Sequence, residues 1–172
     1  REAEELIINY SSIFPHTILR LAAVYSDWCE YPPLFSFLST WFSNKWNKRI
    51  IGGKGTTSLT YIHITDLIRL IHTVIAKSDY LPQKTVFCAS PAGSTSHNEL
   101  FEAATRYYFG HPLKPFRVPK FIALPGVAVR TFLGDLLGSK PFERPWMIRY
   151  LETKLVVDPS FTMSTLEWEP SP

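Results

Sequence analysis

The stretch Leu59 to Lys77, LTYIHITDLIRLIHTVIAK, limits the fold more than any other. It opens on β-branched and aromatic residues, Leu59 to Ile64, that suit a strand. Thr65 and Asp66 then offer oxygens to the first free amides of a helix. Leu67, Ile68, Leu70, Ile71, Val74 and Ile75 recur at helical spacing. A strand that runs straight into a capped amphipathic helix is the repeating unit of an α/β layer. It needs neighbouring strands and further units to bury its faces.

Further units follow the same rhythm. Thr17 to Tyr25, TILRLAAVY, is nearly continuous apolar sequence and predicts a strand buried on both faces. Thr85 to Ala89 predicts another. Ser96 with Glu99 three positions on is a capping box, opening a helix through Leu100, Phe101, Ala104 and Tyr107 that stops at Gly110. Helices are expected over Arg1 to Ile13 and Leu34 to Trp46. Lys45, Lys48 and Arg49 follow the second of these, where cations complement a helix C-terminus better than they define a phosphate patch. Gly52, Gly53 and Gly55 surround Lys54, but the Walker spacing is absent and a tight turn after a strand is the reading.

Beyond Gly110 the character changes. Pro112 and Pro115 frame an edge strand, and Pro119 opens an apolar segment. Phe121 to Gly138 contains Pro125, Arg130 and Asp135, which argues against a membrane span. A helical subdomain covering a pocket is preferred, with an amphipathic helix resting on a membrane surface through 119–138 as the rival. Pro141 to Glu152 reads as a short helix, Leu155 to Val157 as a strand and Asp158 to Leu166 as a last helix.

A chain of 172 residues with 45% hydrophobic residues can build a real core. Its formal charge of +3 gives no reason to expect nucleic acid. Cys29 and Cys88 match no metal spacing, and two buried thiols in a reducing compartment fit better than a disulfide. Arg1 to Glu5 is charged and helical from the first residue, so the expectations are no signal peptide, a cytoplasmic location and a chain that is a fragment.

Four stretches in order carry a resemblance. Arg1-Glu2-Ala3-Glu4 is similar to the helix that follows a Tyr-x-x-x-Lys motif. Leu19 to Tyr25, LRLAAVY, resembles L-R-P-x-x-V-Y-G. Tyr61 to Leu67, YIHITDL, resembles Y-I-H-V-x-D-L. Asp158-Pro159-Ser160 through Leu166-Glu167-Trp168-Glu169-Pro170 resembles D-x-S-K-x-x-x-x-L-G-W-x-P. Together they look like the C-terminal half of an extended short-chain dehydrogenase/reductase, the NAD-dependent epimerase/dehydratase superfamily.

The resemblance implies an α/β fold: the C-terminal part of a doubly wound, Rossmann-like parallel sheet with a mostly helical substrate-binding subdomain. Residues 1–110 would hold the late strands and helices, with a substrate-domain insertion at about 26–60, and 111–172 the substrate-binding subdomain. It implies NAD or NADP in the full-length protein and none for the chain alone. Neither G-x-x-G-x-x-G nor Tyr-x-x-x-Lys occurs here, so no catalytic residue and no metal ligand is assigned. Leu21 and Ala22 match positions beside the nicotinamide. Ala23, Tyr25, Lys54 and Tyr61 are the expected substrate contacts. Ala23 replaces an asparagine and Leu59 an arginine that nucleotide-sugar epimerases often carry, and neither can grip a diphosphate through its side chain. Ser26 replaces a glycine in the loop after Val24-Tyr25. His63, Asp66 and Arg20 are expected to be architectural.

Val118-Pro119-Lys120 and the apolar tail are similar to the branch of 3β-hydroxysteroid dehydrogenase-like and dihydroflavonol reductase-like enzymes. The implied activity is hydride transfer between nicotinamide and a secondary alcohol or ketone carbon of a small, apolar substrate. Two alternatives stand beside it: a nucleotide-sugar epimerase or dehydratase, and a non-catalytic scaffold or regulatory relative of the same fold.

Overall fold

The structure is a computed structural model, and the described residues are 2–10, 13, 15–82, 84–138 and 144–171. In chain order the elements are α1 (Glu2–Asn9), β1 (Thr17–Leu21), β2 (Ala23–Tyr25), α2 (Pro32–Trp41), β3 (Ile50–Gly52), β4 (Ser58–Leu59), β5 (Tyr61–His63), α3 (Ile64–Ala76), β6 (Thr85–Ala89), β7 (Thr95–Ser96), α4 (His97–Phe109), β8 (Phe116–Val118), α5 (Lys120–Leu136) and α6 (Ser160–Leu166). Short 3₁₀ turns cover Ser78–Tyr80 and Pro145–Tyr150. The fold is mixed α/β with three parallel strand pairs, as the strand–helix rhythm predicts. Arg1 and the part of the Pro141 to Glu152 helix before Arg144 lie outside the described residues.

The chain divides into two compact units. The first holds 1–28, 60–94 and 156–172. Here β1 pairs in parallel with β6, and β2 in parallel with β5. The apolar run Thr17 to Tyr25 is therefore two strands, not one. Ala22 N–H still donates to Ala89 O (3.0 Å), whereas Ala23 N–H donates to Thr60 O (3.0 Å), so the chain changes partner between these two residues. Burial on both faces is also not found. Leu21 is 55% exposed.

The core of this unit is Ile62, Leu67, Leu70, Phe87, Ala89, Leu166 and Trp168. Leu67 and Leu70 come from the apolar face of α3, and Ile62 and Phe87 from the inward positions of β5 and β6. The α6 helix is tied to β6 by the Cys88 N–H donating to Thr162 Oγ1 (2.8 Å). Its entry is held by Asp158, whose carboxylate accepts from the Ser160 amide (2.9 Å) and hydroxyl.

The second unit holds 29–59 and 95–155. Its core is Trp41, Ile51 and Phe101, with Phe37 stacked on Trp41 at 5.6 Å and Phe101 edge-on to Trp41 at 5.1 Å. The capping box opens α4 as expected: Glu99 N–H donates to Ser96 Oγ, and Ser96 N–H donates to Glu99 Oε2 (2.7 Å). The α2 helix ends at Trp41, five residues before the expected Trp46. The cations after it have structural partners, with Arg49 Nε donating to Lys114 O (2.9 Å) and Lys48 lying over the Phe109 ring. Leu155 to Val157 forms no strand and contributes only a bridge. Cys29 and Cys88 are free thiols, half-buried rather than buried.

The glycine turn carries real constraint. Gly55 has φ +71°, and a Cβ built there would stand 2.2 Å from Asn98 Oδ1. Asn98 Nδ2 donates to Lys54 O (3.0 Å), and Gly55 O accepts from Asn98 N–H (3.0 Å). Gly55→Ala is expected to cost about 2–3 kcal/mol, from the left-handed backbone and a displaced Asn98. Chemical denaturation checks it. In the Asn98→Ala background the penalty should shrink but survive, because the backbone strain remains. An unchanged penalty there would mean that the side-chain clash contributes nothing.

The α5 helix is turned inside out. Its small residues Ala123, Val127, Thr131 and Gly134, spaced to share one face, are half-buried. Its large ones point outward, with Phe121 77%, Phe132 70% and Leu136 73% exposed. No residue of the helix is buried.

Candidate functional site

In open α/β sheets ligands collect beyond the C-terminal ends of strands, where neighbouring strands part company. The change of partner at Ala22 creates such a place in the first unit. The parallel register of β2 and β5 sets Tyr25 beside His63 and Ala23 beside Tyr61. Beyond these strand ends lies a cavity of about 250 Å³, lined among others by Tyr25, Tyr61, His63, Asp66, Pro91 and Ser171. That is slightly below the roughly 300–1,000 Å³ of sites that hold a whole drug-sized ligand, and suits one ring or group of a larger one.

The aromatic walls meet edge to face. Tyr25 and His63 have ring centroids 5.2 Å apart at 74°, and Tyr25 and Tyr61 6.4 Å apart at 82°. Such crossed rings present both phenol edges and a flat face, beside the polar Thr65, Asp66 and Ser171.

His63 is the N-cap of α3. Its Nδ1 accepts from the Thr65 amide (3.4 Å) and lies 2.7 Å from Thr65 Oγ1. Thr65 and Asp66 therefore do not cap the helix, contrary to the expectation from their residue types. The helix begins one turn-position earlier, at Ile64, and the side chain before it takes the free amide. Asp27 Oδ1 lies 3.6 Å from Nε2, brought there because the loop after β2 leaves the sheet beside the start of α3. With one nitrogen at the cap and the other toward Asp27, the imidazole is an architectural element with one face on the cavity.

Asp66 is buried, 5% exposed, and accepts from Arg69 Nη2, from Ser171 N–H (3.2 Å) and from Ser171 Oγ (3.0 Å). Burial alone would raise its pKa. The Arg69 guanidinium and the two Ser171 donors outweigh that and hold the carboxyl below its ordinary value. Arg69 also donates to Glu169 O (3.0 Å), so the Trp168-Glu169-Pro170 segment is bolted to α3. Arg20 is architectural too, with Nε and Nη2 on the Glu4 carboxylate at 3.0 and 2.7 Å.

Of the residues singled out in the sequence, Tyr25 and Tyr61 share this cavity. Leu21 and Ala22 lie at the end of β1, just before the change of partner, and Ala23 opens β2. Lys54 lies in the second unit, its N–H donating to Glu152 Oε1 (3.3 Å). Asp27 and Ser171 escaped sequence reasoning. Asp27 sits two positions after Tyr25 in the loop where a ligand-facing side chain is expected, which was the one signal available. In the second unit His97 packs edge-on to Phe37 at 4.8 Å, and burial lowers its pKa, favouring the neutral ring.

Leu21 offers exposed apolar surface and Ala22 no bulk at the end of β1. Among the described residues no three His, Cys, Asp or Glu side chains gather to hold a metal ion.

No family model matches the sequence. No curated protein matches it. Solved structures do match. UDP-glucose 4-epimerase from Thermotoga maritima, with UDP-glucose, is 18% identical with a TM-score of 0.64, over 99% of this chain and 46% of that one. UDP-glucuronic acid 4-epimerase from Bacillus cereus, in complex with UDP-4-deoxy-4-fluoro-glucuronic acid and NAD, is 17% identical with a TM-score of 0.64, over 98% and 45%. dTDP-glucose 4,6-dehydratase from Streptomyces venezuelae, with NAD and TYD bound, is 13% identical with a TM-score of 0.66, over 99% and 44%. The chain spans less than half the length of these enzymes, and it shares their Rossmann-like fold.

Proposed function

We propose that this chain is the substrate-pocket portion of an NAD(P)-dependent extended short-chain dehydrogenase/reductase. The parent enzyme moves a hydride between nicotinamide and a secondary alcohol or ketone carbon, in the cytoplasm. The observation that carries this reading is the overlay of 99% of the chain on under half of an NAD-bound dehydratase, with the cavity at the strand ends. In this reading Leu21 and Ala22 back the nicotinamide, and Ala23, Tyr25 and Tyr61 contact substrate. Bound NAD or NADP supplies the hydride acceptor or donor. Tyr25 and Tyr61 hold and orient the carbon skeleton, and the Pro91 side of the cavity excludes water.

An apolar substrate of the 3β-hydroxysteroid dehydrogenase-like or dihydroflavonol reductase-like branch suits the crossed aromatic rings. A nucleotide-sugar substrate is the second reading, favoured by the UDP-sugars bound in the two matching epimerases. Against it stand Ala23 and Leu59, with no side-chain donor for a diphosphate.

The test is the complete reading frame. A Tyr-x-x-x-Lys ending just before Arg1 and nicotinamide-dependent turnover of the parent protein are expected. Their absence would leave a scaffold relative. Thermal shifts of that protein with steroids and flavonoids against UDP-, GDP- and dTDP-sugars separate the two substrate classes. Stabilisation by sugar nucleotides alone would sink the apolar reading.

A further inference from the structure

We propose that α5 and the turn Pro145–Tyr150 form a docking face for an anionic phospholipid bilayer, lying in its surface and not crossing it. This lies beyond the pocket and does not depend on which substrate enters it.

A helix that packs its small side and shows solvent its large apolar side leaves favourable burial unused. Phe121, Phe132, Leu136 and Leu137 are each at least 70% exposed. The turn adds Trp146, 58% exposed, and Tyr150, 60% exposed, edge to face at 6.0 Å. Exposed Trp and Tyr beside an apolar face suit the boundary between headgroups and acyl chains. Lys120 Nζ donates to Arg149 O (3.2 Å), joining helix and turn. Between them lies an apolar groove of about 590 Å³, lined by Phe121, Leu124, Trp146 and Ile148 together with Lys120 and Arg149. An acyl chain fits its walls, and the two cations suit a headgroup phosphate.

Charge selects the occupant. The helix and the turn together carry Lys120, Arg130 and Arg149 against Asp135, a net +2. A second copy would set two such cationic faces against each other, whereas an anionic leaflet attracts them. Spanning is not an option: α5 has 17 residues with Pro125, Arg130 and Asp135 inside it, and no helix among the described residues is long and apolar enough to cross a membrane.

Co-sedimentation with vesicles of phosphatidylcholine, with and without roughly 30% phosphatidylserine, is the test. The protein should pellet with the anionic vesicles and be released when salt rises from about 0.1 M to about 0.5 M. Lys120→Gln with Arg149→Gln should weaken partitioning by on the order of tenfold. Phe132→Glu with Leu136→Glu should abolish it, with an unchanged circular dichroism spectrum, since both sites are exposed. Tryptophan quenching by brominated lipid in the unaltered protein gives a reading free of any variant's folding. No pelleting with anionic vesicles overturns the proposal. So does a salt-insensitive dimer lost in the Phe132→Glu variant without vesicle binding, which would assign the face to a second copy.

Discussion

Phe87→Ala is expected to destabilise the protein by about 3–5 kcal/mol, the largest effect of any single substitution considered. Phe87 is 0% exposed at the centre of β6, and its ring stacks on Phe161 of α6 at 5.7 Å. Truncation removes the transfer free energy of a whole ring and opens a cavity. The walls are two strands and two helices fixed by hydrogen bonds, so collapse is restricted. A core of seven buried residues has few others to compensate. Because β6 runs on to Ser90 and Pro91, the loss should also loosen the floor of the aromatic cavity. Urea denaturation followed by circular dichroism reads the first effect, and the exchange rates of the Cys88 and Ala89 amides the second. A loss below about 1.5 kcal/mol would place Phe87 outside the rigid core.

Asp66→Ala is expected to cost about 2–3 kcal/mol at neutral pH, since it strips a buried acceptor from three donors. Arg69 is half exposed and can turn to water, which keeps the figure below that of a fully buried ion pair. The pH dependence has a definite sign. A carboxyl whose folded pKa is depressed stabilises the native state above its unfolded value of about 3.9, and that contribution is lost as pH falls through the folded value. Unaltered protein should therefore lose stability below about pH 4 more steeply than the alanine variant, and the two curves should converge in acid. Parallel curves down to about pH 2 would show that Asp66 ionisation is not coupled to folding. Asp66→Asn separates shape from charge: it keeps one acceptor oxygen for Ser171 but loses the partner of Arg69.

What could be read in advance, and what could not, follows the range of the interactions. The capping box at Ser96 and Glu99 is local and was legible. So was the strand–helix unit at Tyr61, because its apolar periodicity changes from strand to helix within two residues. The cap itself was misassigned, since threonine and aspartate are commoner caps than histidine and nothing local marks His63. The fork after Ala22 left no trace in the sequence: neither glycine nor proline interrupts LRLAAVY, and the break arises only because Ala89 ends β6 while Thr60 precedes β5. Tyr25 and Tyr61 were singled out, but Asp27 and Ser171 were not, because their positions depend on parallel register and on a contact across 105 residues. The outward face of α5 was illegible for another reason. A helix apolar almost all round does not announce which side it will bury.

The fork also sorts the effects of insertions. A residue added after Ala22 would leave the β1–β6 ladder in register but lift Val24 off the core that Phe87 centres. It would slide β2 one step along β5 and turn Tyr25 to the opposite side of the sheet. The lining of the cavity would be exchanged at the cost of one core contact, with the β1–β6 ladder kept. Length variation at this one joint, more than substitution around it, is the economical way for such a chain to acquire a different pocket.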